Sequence, residues 1–136
     1  HPEARLAPAL GTVEREAWYQ WIVLLSNSLA APYRLWFYPA DLGSAEHLPQ
    51  IRAALQRKIE SLWNRLDAHL AANGPYMLGK EFSAVDLLLT MQMRWSRNMP
   101  RKALEWPALK ALADKVRARE SWKTMCERER LTEWVA

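Results

Sequence analysis

The chain has little of what marks several protein classes: one cysteine and four glycines stand among its 136 residues. A single thiol, Cys126, cannot form an internal disulfide or a multi-cysteine metal site, which favours a reducing, cytoplasmic setting. Four glycines and eight prolines are too few for a collagenous, low-complexity or disordered chain. The composition therefore predicts one folded domain.

Long apolar runs are also missing. No stretch approaches the roughly 18 apolar residues that a membrane-spanning helix needs. The N-terminus lacks the charged-then-apolar pattern of a targeting peptide. We therefore expect a soluble protein with no membrane partner.

The net charge of +4 is unevenly distributed, because residues 94–130 hold eleven Lys and Arg against five Asp and Glu. Acidic residues interrupt every basic run, which is typical of a solvated helical surface rather than of a nucleic-acid patch. We expect no nucleic-acid partner. The chain is instead rich in tryptophan, and eight indoles favour a cleft wall or a partner-facing surface in addition to the core.

Residues 1–11 contain two prolines and no periodic pattern, which predicts an interdomain linker. The chain does not begin with Met, and we expect a segment before it. Helical spacing of apolar residues starts after Thr12, a capping residue, and runs to about Tyr38 with a bend at Pro32.

Four more helices are predicted downstream. The second ends at Asn73-Gly74-Pro75, the third begins at Ser83 and is apolar on nearly every side, the fourth begins at Pro107, and a shorter fifth carries Trp122. Strand-like alternation is absent from the sequence. Residues 12–136 are therefore predicted to form an all-α bundle of five to six helices.

The start of the third helix has a complete local signal. Ser83 is the expected N-cap and Asp86 is expected to reach back to the Ser83 amide, as in a capping box with Asp in place of Glu. Phe82 and Leu87 are spaced to pack together as a hydrophobic staple. These four residues predict a folding role rather than a catalytic one.

The segment from Tyr76-Met77-Leu78-Gly79 through the capping box to Arg94-Trp95 resembles the loop and central helix of the glutathione transferase C-terminal domain. Trp106-Pro107-Ala108-Leu109 resembles that family's next helix, and Leu6-Ala7-Pro8 resembles its interdomain linker. The resemblance covers essentially the whole chain. Ala30-Ala31 departs from the bacterial beta class, which carries a His-Lys pair there, so the class stays open.

The resemblance implies that a thioredoxin-like N-terminal domain is missing from this chain. In the family that domain carries the catalytic Ser, Tyr or Cys and holds most of the glutathione, which is a co-substrate and not a resident cofactor. The helical domain then supplies the wall for a hydrophobic electrophile and contacts within a homodimer. We expect no catalytic residue in this chain and no activity from it alone.

Four residues are the implied substrate-binding candidates. Trp95 matches the Arg-Trp at the end of the central helix and is either part of the pocket wall or plain core packing. Asn27, Tyr33 and Arg34 lie where the family's first helix passes the cleft. Arg34 would hold an anion such as a glutathione carboxylate, or else cover Trp36 as a surface residue.

Other reactive side chains give no site. Cys126 has no histidine base at a recognisable spacing and is expected to be an inert thiol. His1, His47 and His69 are scattered without metal-ligand spacing, so no metal is expected. The alternative to an enzyme domain is a non-catalytic protein-binding module, because the resemblance extends to such modules.

Overall fold

The computed structural model describes residues 2–43 and 45–134. Over those residues the protein is helical and contains no strand, only two isolated β-bridges in the turn that precedes the central helix. The α-helices are α1 (Val13–Val23), α2 (Ala30–Phe37), α3 (Leu48–Asn73), α4 (Ala84–Trp95), α5 (Pro107–Arg117) and α6 (Glu120–Arg128). The predicted all-α bundle of five to six helices is confirmed.

The first two helices are joined without a loop by a π-helical segment, Leu24–Leu29. Thr12 caps α1 as predicted, since its hydroxyl accepts a hydrogen bond from the Arg15 amide at 3.2 Å. Tyr38 ends α2, also as predicted. The irregularity expected at Pro32 lies earlier in the chain: the Ala30 amide bonds the Leu25 carbonyl, so this turn holds one residue more than an α-turn.

The longest helix, α3, packs against both α2 and α5. It ends where the Gly74 amide donates to the Leu70 carbonyl at 2.7 Å, and a Cβ at Gly74 would lie 2.5 Å from that oxygen, so glycine is required there. From the middle of α3, the Asp67 carboxylate accepts the Ala108 and Leu109 amides at 2.8 and 3.0 Å. This remote cap fixes the start of α5.

The central helix is α4, which contacts α1, the π-helical segment and α5. Val85, Leu89 and Met93 have no exposed surface and form the middle of the core. The sequence suggested a helix surrounded on all sides, but Met91 is 39% exposed, because the helices cover only part of the α4 circumference. None of the helices in residues 2–43 and 45–134 combines the length and apolarity needed to cross a membrane.

Candidate functional site

The N-terminus of α4 is held by several buried hydrogen bonds. The Asp86 carboxylate accepts the Ser83 amide at 2.8 Å, and the Ser83 hydroxyl accepts the Val85 amide at 3.2 Å, so the predicted capping box is present. Phe82 packs edge-to-face on Tyr76, with ring centroids 5.7 Å apart. The Phe82–Leu87 staple stays a prediction, although both side chains are half-buried against the core.

Asp86 also performs a task that the capping box does not reveal. Its second oxygen accepts the Met77 amide at 2.8 Å, which ties the turn at residues 76–79 to α4. Burial raises the pKa of the Asp86 carboxyl above its ordinary range, and the hydrogen bonds from the Met77 and Ser83 amides oppose that rise. The group is fully enclosed, so its role is structural, as predicted.

Both backbone polar groups of Met77, its amide and its carbonyl, are hydrogen-bonded to side chains. Its carbonyl lies 3.0 Å from His69 Nε2, and since a carbonyl only accepts, His69 donates from Nε2. The His69 ring packs against the Trp21 ring at 4.4 Å between centroids. His69 therefore joins α3, the turn and α1, a role that its isolated position in the sequence did not indicate.

Two of the four predicted substrate-binding residues come together in the structure. Tyr33 on α2 and Trp95 at the end of α4 pack edge-to-face, with ring centroids 5.6 Å apart and an interplanar angle of 81°. Tyr33 has no exposed surface and also contacts the rings of Trp63 and Phe37. Trp95 is only half-buried, so it retains surface that a second molecule or domain can reach.

The Tyr33 hydroxyl sits near Ser96 and the Trp63 indole but forms no well-aligned hydrogen bond with any described residue. Burial raises the pKa of this hydroxyl far above its ordinary value, because the phenolate would be desolvated. It therefore stays protonated over the usual pH range. A catalytic phenolate at Tyr33 is inconsistent with this environment.

The other two candidates lie on the surface of the π-helical segment and α2. The Arg34 guanidinium bonds the Asp41 carboxylate at 3.1 Å and lies 4.4 Å from the centre of the Tyr38 ring. Asn27 is exposed in the π-helical segment, and its amide donates to the Val23 carbonyl at 3.0 Å. In this chain the Arg34 guanidinium is thus paired with an internal carboxylate.

The cations of residues 94–130 are distributed over aromatic and acidic partners. Arg101 lies 3.6 Å from the centre of the Trp106 ring and Arg119 lies 3.8 Å from that of Phe82. Arg97 pairs with Glu133, and Asp114 pairs with cations on either side of it in α5. Several of the basic side chains in this region are thus engaged in ion pairs or in cation–π contacts within the domain.

Metal-ligating and nucleophilic groups do not converge. Over the described residues no three His, Cys, Asp or Glu side chains are close enough to share a metal ion, and His1 lies outside those residues. Cys126 is buried in α6 as a free thiol.

Comparison with known families and structures gives the context for this geometry. A family model described as the C-terminal domain of glutathione S-transferase matches residues 30–134. None of the curated proteins compared matches the chain.

Several solved structures share the fold. The bacterial glutathione transferase BphK, solved as a ternary complex, is 27% identical with a TM-score of 0.83. A sphingomonad glutathione S-transferase, solved with glutathione, is 25% identical with a TM-score of 0.82. A glutathione transferase from Methylococcus capsulatus, at 24% identity and a TM-score of 0.76, shows the fold alone.

The three alignments cover 96% of this chain but only 61–62% of the solved chains. The 136 residues therefore span about three-fifths of the length of those proteins.

Proposed function

Because the family model covers most of its residues, the chain belongs to the glutathione S-transferase C-terminal domain family, and we propose that it forms the hydrophobic co-substrate wall of a glutathione-conjugating enzyme. A thioredoxin-like domain before this chain would hold glutathione and its reactive thiolate. That thiolate would attack the electrophilic carbon of an apolar substrate and form a thioether. The leaving group would depart with the electron pair of the broken bond.

The placement of Trp95 carries the proposal. A pocket wall needs a large apolar side chain that is held rigidly and keeps one free face. Trp95 meets both requirements, since the fully buried Tyr33 ring packs edge-on against it while Trp95 itself is only half-buried. Tyr33 then supports the wall from behind.

Arg34 on α2 and Asn27 in the π-helical segment are the residues that would make polar contacts with the substrates. Arg34 already binds a carboxylate, that of Asp41, with both side chains more than half exposed. A glutathione carboxylate would replace Asp41 as the partner of the same guanidinium. Asn27 would contribute its side-chain amide beside the cleft. We further propose a cytoplasmic homodimer, for which the single reduced cysteine and the family membership are the support.

The direct test is conjugation by the polypeptide that the complete reading frame encodes. We expect glutathione-dependent conjugation of a general aryl halide by that polypeptide, followed by absorbance, and no rate above the uncatalysed reaction from the 136-residue chain at equal concentration. A folded full polypeptide without glutathione-dependent turnover would favour the protein-binding module instead.

Replacing Trp95 with alanine tests the wall itself. We expect KM for the aryl halide to rise about tenfold, equivalent to 1.4 kcal/mol, because the variant loses apolar contact with the electrophile. KM for glutathione should change less than about twofold, since glutathione is held elsewhere. Trp95→Phe should retain most of the affinity.

Trp36→Ala provides the matched control, because Trp36 is a half-buried indole on α2 that faces Arg52 of α3. We expect both KM values to stay near those of the parent protein in this variant. Equal effects of Trp95→Ala on the two KM values would remove Trp95 from the wall.

A further inference from the structure

One backbone carbonyl of the linker accepts two hydrogen bonds from the helical domain. The Leu6 carbonyl accepts the Ala84 amide at 2.8 Å and the Trp18 indole N–H at 3.1 Å. Ala84 is the first residue of α4, so its amide has no partner within that helix. The linker thus completes the cap that Ser83 and Asp86 begin.

Arg15 holds the linker two residues further along. Its guanidinium donates to the Pro8 carbonyl at 2.9 Å and to the Tyr19 hydroxyl at 3.0 Å. The same group lies 4.8 Å from the centre of the Trp18 ring and 4.7 Å from that of Tyr19. Arg15 therefore contacts both the linker and the Trp18 indole. We name the hydrogen bonds of Arg15 and Trp18 to the linker carbonyls the linker clamp.

Apolar burial along the linker is uneven. The Leu6 side chain is 36% exposed and the Leu10 side chain 77% exposed. A cavity of about 280 Å³ separates the linker at Ala7–Ala9 from Phe82 and Ser83. Hydrogen bonds from Arg15, Trp18, Ala84 and Thr12 therefore hold the linker together with the partly buried Leu6 side chain.

We propose that Arg15 and Trp18 are positioning residues that fix the preceding domain relative to the Trp95 wall. The expected effect on catalysis rests on the proposed function, whereas the clamp itself rests only on the hydrogen bonds of Arg15, Trp18 and Ala84. Leu6 is bound at the first residue of α4 and Trp95 is the last, and a twelve-residue helix is a rigid spacer of about 18 Å. By fixing Leu6 at one end of α4, the clamp fixes the distance between the preceding glutathione-bearing domain and Trp95 at the other end.

Hydrogen exchange of single amides tests the clamp in the 136-residue chain. In a variant carrying Arg15→Leu and Trp18→Phe, we expect the Ala84 amide to exchange at least about tenfold faster, because its acceptor is no longer held. The Ser83 and Met77 amides, which bond Asp86, should keep their parent rates. An Ala84 rate equal to the parent rate overturns the clamp, and so does equal acceleration of all three amides.

Kinetics of the full polypeptide test the catalytic consequence. We expect Arg15→Leu to lower kcat for conjugation about tenfold while both KM values stay within about twofold, since a misplaced domain impairs alignment more than binding. Arg15→Lys should restore part of kcat. Arg52→Leu, which removes a cation from beside Trp36, is the control expected to keep the parent kcat.

The two experiments separate the two proposals. Absence of conjugation by the parent polypeptide contradicts the proposed function, while the exchange rates still decide the clamp. Normal kcat in a full polypeptide carrying both Arg15→Leu and Trp18→Phe, with the Ala84 amide released in the 136-residue chain, would show that the linker does not position the domains.

Discussion

Asp86→Ala is expected to lower the free energy of unfolding by about 2–6 kcal/mol, because it leaves two buried amides unpaired at roughly 1–3 kcal/mol each. The amides are those of Met77 and Ser83, each 2.8 Å from a different oxygen of Asp86. A domain of this size is stable by only about 5–15 kcal/mol, so the variant should be partly unfolded near physiological temperature. Urea denaturation followed by circular dichroism measures the difference.

Asp114→Ala is the matched control, since Asp114 on α5 is itself exposed and pairs with Lys110 and Arg117 of its own helix. Its loss should cost less than about 1 kcal/mol. Asp86→Asn should fall between the two, because one of its two side-chain atoms donates instead of accepting. Equal stability of the Asp86→Ala and Asp114→Ala variants would contradict the two-amide account.

The same comparison has a pH signature. Because burial raises the Asp86 pKa, the folded state binds this proton more tightly than the unfolded state. The contribution of this proton to the free energy of unfolding is fully present below the ordinary pKa of 3.8 and is lost as the pH rises through the raised folded pKa. Asp86→Asn should lack this part of the pH dependence.

The region around Asp86 also shows what the sequence reveals and what it does not. The Ser83–Asp86 bond joins residues three apart, and such local pairs follow from the residue pattern alone. The Met77–Asp86 and Asp67–Ala108 bonds join residues 9 and 41 apart, so only the packed fold brings them together. The start of α1 and the ends of α2 and α3 were predictable because periodicity and capping are local.

The π-helical segment escaped prediction for a similar reason. Its widened turn leaves the Leu25 carbonyl facing α4, where the buried Gln92 amide donates to it at 3.0 Å across 67 residues. The sequence instead predicted a bend at Pro32. The different exposure of the two candidate-site rings also depends on tertiary packing, which buries Tyr33 completely and leaves Trp95 half-buried. The sequence pattern alone does not distinguish them.

Tyr33→Ala is expected to cost about 3–5 kcal/mol of unfolding free energy, the usual range for removing a buried aromatic ring. The cavity would lie among the rings of Trp63, Phe37 and Trp95, which lose their common neighbour. Tyr38→Ala removes the same side chain from a position that is 55% exposed and should cost less than about 1 kcal/mol.

Tyr33→Phe separates support of the wall from contact with substrate. The hydroxyl makes no well-aligned hydrogen bond with the described residues, so its removal should change stability by less than about 1 kcal/mol. In the full polypeptide we expect KM for the aryl halide to stay within about twofold of the parent value, because the ring that backs Trp95 is retained. A rise comparable to that of Trp95→Ala would mean that the Tyr33 hydroxyl faces the electrophile, which requires α2 to open when the preceding domain is present.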